Sequence, residues 1–564
     1  DKKVGASRLY RSLFGTGYLV VTADGRTVAN PVACKAVKLE VSKMEFLSTE
    51  SLGIQPPSMC SGCKNCRHCA AIAAGQSALD VRKRQLIEEG LTLDLENHIW
   101  TASYPYKQPP SVLFDNSEQA YKICLRDRQR MIKKGEYNTF CQVFQEAVSR
   151  GVYQKASPED LAYTKPVYYS SLVCAYKESI STPLRICANS SLCCKGLSLN
   201  SIMMDGPVPL YTLMHNLIRF RSYKCAFVAD IQKFYNSLLA TYEDSQLKRV
   251  FFADTVDGEP EVYLTKTINF GEALAGDMAV TALRLTGRIF GGRSQQDVQD
   301  VYGSEKIRGC DVVAQQDVWR DVQQLLSSEF ILYQDPPSVK LETCTYVDDC
   351  LSGHNSKPEA VQLVQELEDM IAPGNFKFKS VVYSGDDVDS VKVLGLVWDP
   401  KQDKLFLPVR ANHGEKIKGR KLLEDLDLED LWRSLPELIT KREVWRIVQQ
   451  LYDPMGLAAP LLLKSKLCLR SVCIHGCNWD DVIPGELRSE LVSSLQDRSA
   501  LGNVSFRRSM VPDKPLGLPM LVGFCDASNQ AYAAITYLRW PVPGGYDVVL
   551  CCAKSRVAPV KIES

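Results

Sequence analysis

Asp348 and Asp349 are adjacent carboxylates in a largely apolar stretch, with Thr343-Cys344-Thr345-Tyr346-Val347 before them and Cys350-Leu351 after. Two like charges side by side in a β-like segment repel, and a fold keeps them where cations neutralise them. A third acid stands upstream in similar surroundings. Cys225-Ala226-Phe227-Val228-Ala229 runs as an apolar strand into Asp230, and Ile231, Phe234 and Tyr235 return to apolar. Three such carboxylates suffice to hold two divalent ions about 3.5–4 Å apart, the arrangement that activates an attacking hydroxyl and stabilises a leaving oxygen in phosphoryl transfer. Mg²⁺ (or Mn²⁺) keeps waters and takes substrate phosphates as further ligands, so the protein need not supply a full shell. A pair of aspartates by itself is more often an acidic turn. The apolar flanks and the strand that runs into Asp230 are what make these three a candidate catalytic and metal-binding set.

Asp230 and Asp348 are far apart in the chain, so only the fold can bring them together. Residues 155–400 alternate strand and helix patterns, with Asp230 at a strand end and Asp348-Asp349 at a turn. Residues 76–150 read as helical, interrupted at Tyr104-Pro105 and Pro109-Pro110. Residues 408–480 read as strongly helical, with clear periods over Lys416 to Leu431 and Lys441 to Leu451. A proline-punctuated linker, Pro512 to Pro519, leads to three expected strands: Leu521–Asp526, Ala533–Trp540 and Val548–Ala553. Residues 1–55 read as mixed strands and turns, without the D-[ST]-G triplet of an aspartic protease.

A second cluster could bind metal. Cys60, Cys63, Cys66 and Cys69 recur as C-x2-C-x2-C-x2-C, with His68 among them. Thiolates at this spacing suit Zn²⁺, and less well an iron–sulfur cluster. Two close pairs usually need a longer spacer to wrap one tetrahedral ion. Three readings stay open: a structural zinc held by three of these residues with His68 or a distant thiol such as Cys34, an iron–sulfur cluster, and a reduced loop without metal.

Composition sets outer bounds. At 564 residues the chain exceeds one hydrophobic core, so several domains are expected. The net charge of +1 gives no global attraction to nucleic acid and leaves only local basic patches for that role, at Arg82-Lys83-Arg84, Arg126 to Lys134, Arg219-Arg221-Lys224 and Lys464-Lys466-Arg470. No apolar run approaches the ~18 residues of a membrane span. The 21 cysteines form no secreted framework and many lie in apolar runs, which fits reduced thiols in an intracellular protein. The chain opens Asp1-Lys2-Lys3 without Met, as a processed product would.

The ordered set of motifs resembles reverse transcriptases, and more narrowly those of BEL/Pao long-terminal-repeat retrotransposons. Leu184-Arg185-Ile186 is similar to the fingers segment whose arginine contacts the incoming triphosphate. Gly206-Pro207 and Leu217-Ile218-Arg219-Phe220-Arg221 precede the Asp230 segment as in that family. Phe270-Gly271 resembles the motif that packs under template and nucleotide, and Val393–Asp399 the primer-gripping hairpin. Tyr452-Asp453-Pro454-Met455-Gly456-Leu457-Ala458-Ala459-Pro460 resembles the D-P-[LM]-G-L-x-x-P element that points to this family in particular. Phe524-Cys525-Asp526-Ala527-Ser528 resembles the opening strand of a ribonuclease H domain.

The resemblance implies an α+β, right-hand polymerase fold of fingers, palm and thumb. To these it adds an N-terminal Cys-rich extension, a connection and a truncated ribonuclease H-like segment. The expected boundaries are 1–105 for the extension, 106–400 for fingers and palm, 401–510 for thumb and connection, and 511–564 for the last segment. It implies an RNA-directed DNA polymerase that uses two Mg²⁺ or Mn²⁺ ions, with Arg185, Tyr235, Phe270, Gly271 and one of Lys377 and Lys379 at the nucleotide. Tyr235 would exclude a 2′-hydroxyl, and one lysine would act as general acid. Alternation puts both lysines on one face and leaves the choice open. Asp526 matches the first metal-binding acid of ribonuclease H. The sequence stops at Ser564, before the helix with the next glutamate, so no RNA cleavage is expected from this chain. Expected partners are an RNA template, a DNA primer and product, dNTPs and further copies of the chain, without a membrane. The expected location is the cytoplasm, within virus-like particles.

The sequence departs from the family at Pro183, Asn189 and Ala275-Gly276. The competing reading is therefore a domesticated, inactive polymerase-derived protein that binds nucleic acid. A third reading is a nucleic-acid-binding module centred on Cys60 to Cys69.

Overall fold

The computed structural model describes residues 3–4, 7–12, 15–21, 27–30, 78–176, 184–204, 206, 213–314, 335–408, 410–411, 416–417, 420–421, 426–450 and 452–558. Cys60, Cys63, Cys66, His68 and Cys69 lie outside the described residues, as do Pro183 and Glu563. The chain divides into two compact units, Ile54–Tyr383 and Asp1–Gly53 with Ser384–Ser564. The fold is mixed α/β.

In the unit Ile54–Tyr383, helix Ala78–Glu89 leads into a hairpin of Leu91–Asp94 and Ile99–Ala102. This stretch falls in the region expected to be helical. Its local period is two: Leu91, Leu93, Trp100 and Ala102 are fully buried while their neighbours are half-exposed, which is the signature of a strand. Helices Ser117–Lys133 and Tyr137–Ser149 follow, and beyond them comes a hairpin of β1 (Ser171–Tyr176) and β2 (Leu184–Asn189). These elements share an aromatic core, in which the Phe144 ring stacks on Phe252 at 3.8 Å and on Tyr153 at 4.6 Å between centroids.

A second core surrounds the acid-bearing sheet. β3 (Cys225–Ile231) is its heart, and Ala226, Phe227 and Ala229 have no exposed surface. The chain continues through α1 (Ala275–Phe290), the short β4 (Thr345–Tyr346), β5 (Asp349–His354), α2 (Lys357–Ile371) and β6 (Phe378–Tyr383). Strand order is β4-β5-β3-β6, antiparallel throughout. α2 buries Ala360, Leu363, Val364, Leu367, Met370 and Ile371, spaced three and four apart, so one stripe of the helix faces the sheet. It packs on β3, β5 and β6 and against α1, which is itself mostly buried.

One expected basic patch is part of this interior. Arg219 and Arg221 are 9% and 1% exposed, and Arg219 pairs with Asp335 at 3.3 Å. These residues hold the fold together and do not form a nucleic-acid surface.

In the other unit, β7 (Val391–Val393) and β8 (Leu396–Asp399) form a tight hairpin whose turn residues Leu394 and Gly395 both have positive φ, 45° and 93°. The sheet continues through Lys404–Phe406 and Ser505–Arg507. Arg508, fully buried, grips Asp403 through Nε at 2.8 Å and Nη2 at 2.6 Å, while Trp398 Nε1 donates to the same carboxylate at 3.0 Å.

The stretch 416–431, expected as one helix, is different in the structure. Lys416–Ile417 pairs with Arg420–Lys421, Arg410–Ala411 with Leu426–Asp427, and helix begins only at Leu428. Like charges four apart, Lys416 and Arg420, together with Gly419, disfavour helix there. The expected helix from Lys441 is present as α3 (Lys441–Gln450), with Thr440 and Glu443 closing a capping box. α4 (Ala459–Ile474) and α5 (Gly485–Ser499) complete a helical core of Leu431, Val444, Ile447, Leu469, Val472, Leu491 and Leu495.

The D-P-M-G-L-A-A-P block is explained by local structure. Asp453 accepts the Leu457 and Ala458 N–H groups at 2.9 and 2.8 Å, and Pro460 opens α4. Gly456 has φ 69° and lies against the Ala553 carbonyl, where a side chain would collide. The three expected C-terminal strands are β9 (Met520–Ala527), β10 (Ala531–Val542) and β11 (Gly545–Val557), paired in that order with β9 at an edge. Among the described residues no helix is long and apolar enough to cross a membrane.

Candidate active site

The pairing register of β3 brings two of the acids together. Asp230 lies directly across from Asp349 on β5. Opposite residues of an antiparallel pair point to one face with Cβ atoms about 4.5–5.5 Å apart. Asp348 occupies the two-residue turn between β4 and β5, and its carbonyl accepts the Ile231 N–H at 2.8 Å, which ties the turn to the end of β3. The three acids are half-buried, while Ala229 and Cys350 beside them have no exposed surface.

The other turn residue, Val347, has φ 58°. Hairpin turns with a positive φ at this place normally use glycine, so a β-branched residue there stores strain.

The donors are all carboxylate oxygens, the class that hard divalent cations take. Among the described residues no three His, Cys, Asp or Glu side chains are drawn into a closed coordination shell. The register sets Asp230 and Asp349 side by side, and their carboxylate chemistry suits a divalent cation.

On the other flank, β6 places Ser380 opposite Asp230 and Phe378 opposite Ile231, so Lys379 is the extra residue of a bulge. Phe376 and Phe378 are buried, and Lys377 and Lys379 are both exposed. Alternation therefore holds for 376–379 and breaks at Ser380, beside Asp230.

Of the expected nucleotide residues, Arg185, Tyr235 and Phe270 meet, with Gly271 next in the chain. The Phe270 ring lies edge-on to Tyr235, 4.7 Å between centroids, and the Arg185 guanidinium sits 5.8 Å from the same ring. Tyr235 follows β3 in a single 3₁₀ turn, Phe234–Ser237. Burial, then the Asp348 and Asp277 carboxylates, push its phenol above the ordinary range. Gly271 has φ 97°, and a side chain there would strike the Ala188 carbonyl of β2. At Gly276 a side chain would begin 3.9 Å from the Tyr235 hydroxyl, an ordinary contact distance, so nothing in the structure explains the departure there.

Sequence reasoning missed several residues around this cluster. Asn200 donates to the Gly271 carbonyl at 2.8 Å and accepts the Ala273 N–H at 3.0 Å, clamping the loop. Asp277, in the first turn of α1, is packed against Gly206, and burial raises its pKa to about 6. Lys248, Glu272 and Tyr104 form a sealed polar group behind the loop. No spacing signals Asn200 or Lys248. The polar flanks of Asn269-Phe270-Gly271-Glu272 were the one available hint.

Asp526 lies near the end of the edge strand β9, exposed and paired in register with Ala533.

Residues 440–564 match the family described as Pao retrotransposon-like RNaseH-like domain. The match supports a Pao-type pol fragment and takes in α3, α4 and α5 as well as the C-terminal sheet. No curated protein matches the chain. Among solved structures, the chain is similar to the foamy viral protease-reverse transcriptase dRH in complex with double-stranded DNA, at 12% identity and a TM-score of 0.41, covering 74% of this chain and 55% of that one. It is also similar to the foamy viral protease-reverse transcriptase in complex with RNA/DNA hybrid, at 12% identity and a TM-score of 0.39, covering 75% and 43%. The chain thus spans about half the length of those proteins.

Proposed function

We propose that this chain is an RNA-directed DNA polymerase that adds deoxynucleotides to a primer 3′ end by a two-metal mechanism. The observation that carries the reading is the β3–β5 register that sets Asp230 across from Asp349, with Asp348 tied to β3 in the adjoining turn. Asp230, Asp348 and Asp349 would hold two Mg²⁺ (or Mn²⁺) ions, which supply the charge that activates the 3′-hydroxyl and stabilises the leaving oxygen.

The chain's own residues do the rest. Arg185 binds the triphosphate and Phe270 supports the nucleotide. Tyr235 meets the sugar, where its ring excludes a 2′-hydroxyl. Lys377 or Lys379, both exposed beside β3, donates a proton to the leaving group. In this reading the acid-bearing sheet is the palm, the aromatic-cored region with β1 and β2 the fingers, and α3–α5 the thumb. The partners are an RNA template, a DNA primer and dNTPs, and the Cys60–Cys69 segment holds a structural zinc.

Primer extension on RNA and DNA templates with Mg²⁺ or Mn²⁺ tests the reading. The wild-type chain should extend, and Asp230→Asn should not while still binding the hybrid. Near-normal extension by that variant would sink the proposal. Elemental analysis of protein purified under reducing, chelator-free conditions tests the zinc, with about one ion per chain expected.

A further inference from the structure

Behind the Phe270–Gly271 loop lies a sealed polar cluster that the chemistry above does not use. The Lys248 and Glu272 side chains are 1% and 0% exposed, with Lys248 Nζ 3.2 Å from Glu272 Oε1. Tyr104, also buried, donates its hydroxyl to Glu272 Oε2. Lys248 Nζ donates to the Tyr104 oxygen at 3.2 Å and to the Thr267 carbonyl at 2.8 Å. Glu272 Oε2 also accepts the Asn269 N–H at 3.1 Å, and Asn269 Nδ2 reaches the Tyr153 hydroxyl at 3.2 Å.

An ion pair this deep gains little stability over apolar packing of the same volume, because desolvation offsets the attraction. What the cluster supplies is direction. Glu272 follows Phe270 by two residues and binds the N–H that precedes it, so one carboxylate fixes both ends of the segment Asn269–Glu272. Lys248 and Tyr104 hold that carboxylate from two sides. On the opposite side of the loop, Asn200 takes the Gly271 carbonyl and the Ala273 N–H. The result is a loop held front and back, with the Phe270 ring at its crest against Tyr235 and Arg185.

We propose that Lys248, Glu272 and Tyr104 are positioning residues, a buried brace that sets the height of Phe270 and thereby the affinity and selection of the incoming nucleotide. The nucleotide part of this inference rests on the polymerase reading.

Tyr104→Phe removes one hydroxyl and little volume. Glu272→Gln keeps an acceptor for the Asn269 N–H, and Glu272→Leu does not. In Tyr104→Phe, amide hydrogen exchange over 269–273 should quicken by about tenfold while β3 is unchanged, a local opening within an intact unit. In primer extension the dNTP KM should rise by about tenfold with kcat within about twofold, the pattern of lost nucleotide binding. Glu272→Leu should raise KM further than Glu272→Gln, and mispaired nucleotides should be incorporated more often.

Exchange and KM both at wild-type values in Tyr104→Phe would overturn the brace. So would uniformly faster exchange across the unit, which would make the cluster a general stabiliser. If the wild-type chain extends no primer, the polymerase reading falls, and the exchange measurement still decides whether the cluster holds the loop.

Discussion

Two sheets in this protein run an apolar strand into an aspartate, and the two aspartates meet different fates. Asp230 is on β3, the strand with partners on both sides, and Phe227 on that strand has no exposed surface. Asp526 is on β9, an edge strand, where Phe524 is 62% exposed. The local sequences, Phe-Val-Ala-Asp and Gly-Phe-Cys-Asp, are close in kind. What separates them is register: β5 delivers Asp349 opposite Asp230, whereas β10 delivers Ala533 opposite Asp526. An acid at a strand end becomes a candidate site when a neighbouring strand brings it a second acid.

The sharpest way to break this comparison is at the acids themselves. Asp230→Asn should lower primer extension by about a thousandfold or more, the scale on which loss of a reacting group is read. Asp526→Asn should leave extension unchanged. Equal effects of the two substitutions would mean that strand position does not decide the matter.

The next largest contrast is in stability. Phe227→Ala should cost about 3–5 kcal/mol, as a large side chain lost from a closed core does. Phe524→Ala, on an exposed face, should fall within about 0.5 kcal/mol. Urea unfolding of the two variants checks this, and a loss of several kcal/mol at Phe524 would show that β9 is covered in solution.

How much of this was legible beforehand follows from where the signal is local. The apolar run into Asp230 and the three C-terminal strands were readable, because alternation and turn chemistry are properties of neighbouring residues, whereas the hairpin within Val393–Asp399 entered only through the family resemblance. The hairpin Leu91–Ala102 was lost inside a longer helical-looking stretch, since its strands are only four residues each. The run Lys416–Leu431 misled in the opposite sense, with a helical spacing of apolar residues outweighed by like charges and Gly419. The acids could be proposed as a set, but which atom lies across from which is a matter of register. The bulge at Lys379 shows how one extra residue changes it. Asn200, Lys248 and Tyr104 carried no signal, since a buried polar residue is defined by its distant partners.

A fourth acid near Tyr235 sharpens the comparison on a smaller scale. Burial raises the Asp277 pKa from 3.8 to about 6. The folded state therefore binds this proton more tightly than the unfolded state, and stability falls as pH rises from about 3.8 to 6. Asp277→Asn removes that penalty, so at pH 7 it should stabilise the chelated protein by about 1–3 kcal/mol. The gain should vanish near pH 4, below the folded value, where both states approach protonation. If Asp277 held a metal, as proposed for Asp230, the same substitution would abolish extension.

The smallest effect concerns the turn that carries Asp348. Val347, at φ 58°, packs partly against the core and cannot relax into another conformation without moving its neighbour Asp348. Alanine at this place keeps the unfavourable backbone and loses the packing. Glycine loses the packing too but escapes the strain, worth about 1–3 kcal/mol, against an entropic cost of about 0.5–1 kcal/mol. Val347→Gly should therefore be more stable than Val347→Ala by about 1 kcal/mol, although it has the smaller side chain. At Val548, an exposed position on strand β11 with ordinary backbone, the order should reverse, with alanine ahead of glycine by about 0.5–1 kcal/mol. Urea midpoints of the four variants give both differences. Alanine equal to or better than glycine at both positions would mean that the turn holding Asp348 is unstrained. The half-buried acids would then owe their placement to strand register alone.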